Sequence, residues 1–392
     1  MNENFEMVAK TLYGFEKILE NELIQLGAIK TKIGNRSVSF FGDKGFMYKC
    51  NLALRTAIKI LKPIKKFYAN NEHELYEKIM KISWNKYISH ENTISISSTV
   101  NSNIFTHSKY VAQKTKDSIV DQFNKLYGSR PSVDIRHPDL KINIHIDKNK
   151  CTVSLDSSGE SLHKRGYKIS SHTAPINEVM AAGILIISGW QGQSDLIDPM
   201  CGSGTFLIEA AMMACNIPPN LMRAEFGFEK WKNWDNQLFQ KIQESLLSKK
   251  RDFKHKIIGY DKSISAVKSA NINIRNCNLN DFISLKNVDF FNTKKENNDK
   301  LFLAFNPPYG ERLKLNIRQF YGLIGNTLKH NYTNSTTWLI TSNLESLKYI
   351  GLKPSKKIKL YNGKLETKLV CYDIYAGSKK SKYKNKHTNF KS

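Results

Sequence analysis

Apolar residues recur along the chain at helical and strand spacing in turn, and a change in their order divides it. Leu12, Phe15, Ile18, Leu19, Leu23 and Leu26 stand at helical spacing, and Gly27 ends the run. The pattern then predicts a strand near Ser37–Phe41, a helix over Lys44–Leu61, a strand over Ile64–Tyr68 and a helix over His73–Ile82. An alternating strand follows at Thr93–Val100. Next comes a long helix with Tyr110, Val111, Ile119, Val120 and Phe123 on its apolar side and Gly128 after its end. Three short strands close this part, at Ser132–Ile135, Lys141–Ile146 and Cys151–Leu155. Strands and helices that do not alternate strictly indicate an α+β arrangement.

From about Ser161 strands and helices alternate. The predicted order is Asp195–Ile197, helix Thr205–Met213, Lys256–Tyr260, helix Ser263–Asn276, Phe282–Leu285, Leu301–Phe305, helix Asn316–Lys329 and Thr336–Ile340. That alternation predicts a parallel sheet with helices on both faces. Ile358–Tyr361, Asn362-Gly363 and Lys364–Tyr375 read as a closing antiparallel hairpin on a two-residue type I′ turn. An insertion with Pro218, Pro219, Trp231 and Trp234 lies between Asn216 and His255, and the segment from Ser378 on is lysine-rich without an acid, which predicts disorder.

Composition adds a partner class. With 392 residues the chain has room for two or three domains, and its net charge of +25 favours a polyanion. No apolar run is long enough to cross a bilayer and Met1–Glu6 lacks a signal-peptide pattern, so a soluble, cytoplasmic protein is expected. Six scattered cysteines form no CxxC pair and no zinc spacing, so no metal is expected.

Two motifs carry chemistry. Asn306-Pro307-Pro308-Tyr309 directly follows the apolar strand Leu301–Phe305. Proline removes a ladder donor and holds its predecessor extended, so the segment can neither continue the sheet nor start a helix. The stiff corner offers an amide, a carbonyl and an aromatic ring, a set suited to gripping a flat heterocycle by its exocyclic amine. The second motif is Asp198-Pro199-Met200-Cys201-Gly202-Ser203-Gly204-Thr205, after the first strand of the alternating part. Gly202 and Gly204 permit a tight turn and close approach of backbone to ligand. The third dinucleotide-site glycine and the Walker Gly-Lys-Ser/Thr are both absent. Asp198 stands where it can hold an ammonium group, Asp261 ends the next strand within reach of ribose hydroxyls, and Asp289 follows the third strand near an adenine edge.

Asp198–Thr205 with the downstream Asn306–Tyr309 resembles the class I methyltransferases that use S-adenosylmethionine (SAM) to methylate exocyclic amines. Leu162-His163-Lys164-Arg165-Gly166-Tyr167 and Ala174-Pro175-Ile176-Asn177-Glu178 are similar to that family's segment around the cofactor's methionine end. The block from about Lys65 to Ser157 resembles a THUMP RNA-binding domain, and the order of modules resembles RlmL-type 23S rRNA guanine-N2 methyltransferases. The resemblance implies a Rossmann-like class I methyltransferase domain, a parallel sheet closed by an antiparallel hairpin, preceded by α+β ferredoxin-like and THUMP domains. It divides the chain into a lobe (1–64), a THUMP domain (65–157), a methyltransferase domain (158–376) and a basic tail (377–392).

The same resemblance implies SAM as cofactor, held by Asp198, Cys201, Gly202, Ser203, Gly204, Thr205, Asp261, Asp289, Asn306, Pro175 and Asn177. It implies Asn306, Pro307 and Tyr309 as the catalytic set, and ribosomal RNA, as 23S rRNA or a large-subunit precursor, as partner. Asn306 and the Pro307 carbonyl would accept the two amine hydrogens while Tyr309 stacks on the base. His163, Lys164 and Arg165 are candidate phosphate contacts, against the alternative of a solvated turn. Glu311 and Arg312 are equally a surface salt pair or a substrate contact. Three other functions fit parts of the pattern: a tRNA guanine-N2 methyltransferase, a nucleic-acid adenine-N6 methyltransferase and a non-catalytic RNA-binding assembly factor.

Overall fold

The structure is a computed structural model that describes residues 3–170, 176–308, 316–363 and 365–375. The chain forms two compact units, one of residues 1–166 with 218–248, the other of residues 167–217 with 249–392.

In the first unit the order is β1 (Phe5–Thr11), α1 (Glu16–Leu26), β2 (Ile29–Gly34), β3 (Ser37–Gly42), α2 (Lys44–Ala53), β4 (Ala57–Tyr68), α3 (Glu72–Met80), β5 (Thr93–Asn101), α4 (Ser108–Tyr127), β6 (Ser132–Val133), β7 (Leu140–Asp147) and β8 (Lys150–Asp156). Its strands form one continuous sheet in the order β2-β3-β1-β4-β8-β7-β5-β6. The join is β4: residues Ala57–Leu61 pair with β1, and Leu61–Tyr68 pair with β8 across a register shift at Pro63. Proline has no N–H to give a ladder, so a bulge is where a strand tolerates it.

Gly27 and Gly128 cap their helices at φ 107° and 66°, as the sequence implies. The expected helix over Lys44–Leu61 is corrected. It stops at Ala53, and Ala57 already belongs to β4. The break is fixed from outside: both oxygens of the half-buried Glu22 carboxylate, on α1, accept the backbone N–H groups of Arg55 and Thr56 at 2.8 and 3.0 Å.

The insertion belongs to this unit. Its helix α7 (Asn236–Leu247) starts at Asp235, whose side chain accepts the Leu238 N–H. Phe226, Phe228, Trp231, Phe239 and Leu246 join the core of Met7, Phe40, Tyr48 and Leu52. Tyr48 and Phe228 rings lie 4.4 Å apart.

In the second unit come α5 (Glu178–Ser188), β9 (Asp195–Asp198), α6 (Thr205–Ala214), β10 (Ile257–Asp261), α8 (Ile264–Asn276), β11 (Ile283–Asn287), β12 (Leu301–Phe305), α9 (Ile317–Asn331), β13 (Ser335–Thr341), β14 (Lys356–Asn362) and β15 (Leu365–Ile374). The sheet order is β11-β10-β9-β12-β13-β15-β14, parallel from β11 to β13 and antiparallel beyond. The parallel sheet with a closing hairpin is thus present. The turn is displaced by one residue from its expected place, because Asn362, expected within it, pairs with Leu365, and Gly363, at φ 65°, becomes the first loop residue. No described helix is long and apolar enough to cross a membrane. The tail 377–392 lies outside the described residues.

Candidate active site

Strand order reverses direction at β9. From it the chain passes outward to β10 and β11, then returns to its other side with β12. In open α/β sheets the carboxyl ends of the strands at such a switch point form a crevice. Here it is a cavity of about 320 Å³, lined by residues that follow each of these strands.

Asp198 ends β9, 2% exposed, with its Oδ1 accepting the Met200 N–H at 3.1 Å. Burial pushes its carboxyl well above the usual carboxylate range, with the nearby Asp261 charge adding to the shift. The next residues bend sharply: Gly202 adopts φ 54° and Gly204 φ 83°, and α6 starts at Thr205. A Cβ at Gly202 would meet nothing within 4 Å, so the backbone there faces open space in the cavity wall. Asp261, at the end of β10, ties the loop down. One carboxylate oxygen accepts the Gly202 N–H at 3.0 Å and the other the Ser263 N–H at 2.9 Å.

Asp289 caps the short turn Phe290–Asn292 through the Phe291 N–H at 3.0 Å and also lines the cavity. Asn306 and Pro307 leave the end of β12, and they line the same cavity. The structure therefore brings together Asp198, Cys201, Gly202, Ser203, Thr205, Asp261, Asp289, Asn306 and Pro307. Gly204 is one residue behind the wall, packed on Ala270. Pro175, Tyr309, Glu311 and Arg312 lie outside the described residues.

Two of the expected roles change. Asn177 does not line the cavity; its Oδ1 caps α5 by accepting the N–H groups of Val179 and Met180 at 2.9 and 3.2 Å. Its neighbour Ile176 does line it. Arg165 is not a surface cation: it is 1% exposed and donates to the Leu162 and Arg55 carbonyls and the Asn220 side chain. Lys164 is exposed and pairs with Glu160 at 2.9 Å, and His163 Nδ1 lies 2.7 Å from Ser161 Oγ.

The cavity's donor set fits SAM. Among the described residues its three carboxylates face one lining cation, Lys262, which suits a ligand carrying an ammonium and a sulfonium. The buried hydroxyls of Ser203 and Thr205 find no hydrogen-bond partner among the described residues, leaving capacity for a polar ligand. Phe290, Phe291 and Phe320 supply apolar walls for a flat ring. Sequence reading did not pick these aromatics, although Phe290-Phe291 directly follow Asp289. Cys201 is 6% exposed, and burial holds its thiol far above the ordinary range, so it is a neutral group. Among the described residues no cluster of His, Cys, Asp and Glu could hold a metal ion.

Comparison with known proteins agrees with this geometry. Residues 165–370 match the family described as RMKL-like methyltransferase domain, residues 69–156 the THUMP domain, and residues 6–61 the RlmL ferredoxin-like domain. A candidate RNA methyltransferase of Synechocystis, slr0064, is 35% identical over 92% of this chain and 95% of its own. The ribosomal RNA large subunit methyltransferase K/L of Cellvibrio japonicus is 36% identical over 92% of this chain; the chain spans about half the length of that relative, 50%. Among solved structures, SMU.472, described as a candidate methyltransferase and complexed with SAH, superposes with a TM-score of 0.84 at 30% identity, covering 96% of this chain and 100% of that one. A candidate methylase from Clostridium difficile 630 gives 0.85 at 32% identity, with coverage of 96% and 100%. With three family modules matched in order and a cavity built for SAM, the chain belongs to the RMKL-like family of SAM-dependent methyltransferases.

Proposed function

We propose that the protein transfers a methyl group from SAM to the exocyclic N2 of a guanine in the large ribosomal RNA. The observation that carries the chemistry is the shared cavity: Asn306 and Pro307 line it together with Asp198, Gly202 and Asp261. The RNA half of the reading draws on the THUMP match, the net charge of +25 and the printed names of the K/L relatives.

SAM, when bound, supplies an electrophilic methyl on a sulfonium. The rest falls to the chain. An exocyclic amine is a weak nucleophile because its lone pair is delocalised into the ring. The Asn306 side-chain oxygen and the Pro307 carbonyl accept its two hydrogens, which turns the lone pair toward the methyl group. Charge developing on nitrogen then falls on acceptors already in place. Holding both reactants in one cavity supplies much of the remaining acceleration. No general base is needed before transfer, the surplus proton on the methylated nitrogen is lost to solvent afterwards, and the neutral thiol of Cys201 takes no covalent part. Asp198 would hold the cofactor's amino group, Asp261 its ribose and Asp289 its adenine amine. The base is flipped out or unpaired beforehand, and Tyr309, outside the described residues, is the sequence's candidate for stacking on it.

The test is to incubate the protein with methyl-labelled SAM and unmodified total RNA, then identify the labelled nucleoside. N2-methylguanosine in large-subunit RNA is the expected product. N6-methyladenosine, or label confined to tRNA, would redirect the assignment.

A further inference from the structure

A second concavity, of about 310 Å³, opens in the first unit, and no part of the proposed chemistry uses it. Three separate segments build it. Arg136, His137 and Lys141 come from the approach to β7 and its start; Gly159–Gly166 follow β8; Arg223–Lys230 come from the insertion. The last two are locked together backbone to backbone. Phe228 N–H donates to the Ser157 carbonyl at 3.0 Å, and a Cβ on Gly227 would sit 2.6 Å from the Asp156 carbonyl. On Gly166, at φ 93°, a Cβ would sit 2.1 Å from the Met222 carbonyl.

The charge of the lining is what points to a ligand. Each acid there is already engaged. Asp139 accepts the Thr93 N–H and hydroxyl at 2.8 and 3.0 Å, Glu160 pairs with Lys164 at 2.9 Å, and Glu225 stands 3.6 Å from Lys230. Lys164 and Lys230 are thereby paired, but Arg136, Lys141 and Arg223 form no ion pair with these acids among the described residues. Arg223 spends both terminal nitrogens on the carbonyls of Ser158, Glu160, Ser161 and Lys164, so carbonyl dipoles rather than a carboxylate hold it. Burial lowers its pKa to about 10, and it stays charged at neutral pH. Arg136 is exposed and Lys141 half-buried, and neither forms a side-chain hydrogen bond or ion pair among the described residues. A half-buried guanidinium fixed by carbonyls, sharing a concave wall with Arg136 and Lys141, is an anion site, and Arg136 can meet a phosphate through two parallel N–H donors.

We propose that the cleft between Arg136, Lys141 and Arg223 holds a backbone phosphodiester of the RNA substrate and so registers the RNA on the first unit. This rests on the reading of the chain as an RNA methyltransferase and adds a site to it. The contact carries no base information; it positions.

The test uses the full chain and an end-labelled, unmodified transcript of large-subunit ribosomal RNA, with dissociation constants measured over a series of KCl concentrations. The double variant Arg136→Glu/Lys141→Glu is expected to bind at least tenfold more weakly. Its plot of log affinity against log salt should be shallower by about 1 per lost phosphate contact. SAM affinity should stay at the wild-type value, and RNA KM should rise while kcat at saturating RNA is kept. The single variant Arg136→Gln, at an exposed position, gives a smaller loss of about threefold and serves if the double variant is unstable. Lys249→Glu/Lys250→Glu applies the same charge change at exposed residues elsewhere. If that control weakens RNA binding as much as the cleft variant, or if the cleft variants bind like wild type, the site is overturned. A wild-type chain that fails to bind the transcript overturns the RNA reading itself, and the two failures are thereby distinct.

Discussion

Replacing Asp198 with Asn should move stability and cofactor affinity in opposite directions. The side chain is 2% exposed, and its carboxyl is raised by burial first and by the Asp261 charge second. Asn keeps the shape and keeps an oxygen for the Met200 N–H, now at 3.1 Å. What it removes is a desolvated charge. A carboxyl raised in the folded state contributes stability that is complete below its unfolded pKa and is lost as pH rises through the folded value. Wild type and Asn variant should therefore melt alike near pH 4, and the variant should become relatively more stable toward pH 7.5. The cofactor's ammonium feels the opposite effect, since it loses a charge-assisted hydrogen bond in a dry site. Such bonds contribute about 1.5–3 kcal/mol, which converts to roughly 10- to 150-fold weaker SAM binding. Thermal melting of the cofactor-free protein at both pH values and calorimetric titration with SAM at pH 7.5 read the two effects. A variant that melts below wild type at pH 7.5, or that binds SAM unchanged, would refute the reasoning.

Asn306→Ala should lower methyl transfer by about 10²–10³-fold, as removal of one pre-placed polar group in such a site does, while SAM binding changes little; single-turnover kinetics beside titration separate the two. Gly227→Ala forces a Cβ to within 2.6 Å of the Asp156 carbonyl and 2.8 Å of the Gly159 nitrogen, and should destabilise the protein by about 1–3 kcal/mol in denaturant unfolding. Cys201→Ala should keep kcat within a few-fold, because its thiol is neutral; abolished turnover with a normal melting curve would reinstate it as a nucleophile.

The methyltransferase half was readable because its signals are local. β9, β10 and β12 are short apolar runs ending at Asp198, Asp261 and Asn306-Pro307, and the glycines at 202 and 204 mark the loop between strand and helix. Parallel order and the closing hairpin follow from that alternation. The first half was read less well because its decisive contacts are distant in sequence. Leu52, Ala53, Leu54, Ala57, Ile58 and Ile60 suit either a helix or a strand, and the break between α2 and β4 is set by Glu22, more than thirty residues away. Arg165 looked like a phosphate contact beside His163 and Lys164, and only the fold reveals Asn220 and the Arg55 carbonyl around it. Asn177 did carry a local cue, an Asn directly before a helix, which the pull of the neighbouring cofactor segment obscured. The aromatics of the insertion gave no sign of which core they complete.

That insertion sets an order of events during synthesis. Phe226, Phe228, Trp231, Phe239 and Leu246 are part of the first unit's core, so this unit stays incomplete until residue 248 has been made. By then the strand β9 and helix α6 of the second unit are already part of the growing chain. A nascent chain normally finishes one domain before beginning the next; here the ribosome must release about fifty residues of the second unit, 167–217, before the first can close. Stalling translation before and after residue 248 should separate a protease-sensitive N-terminal unit from a resistant one.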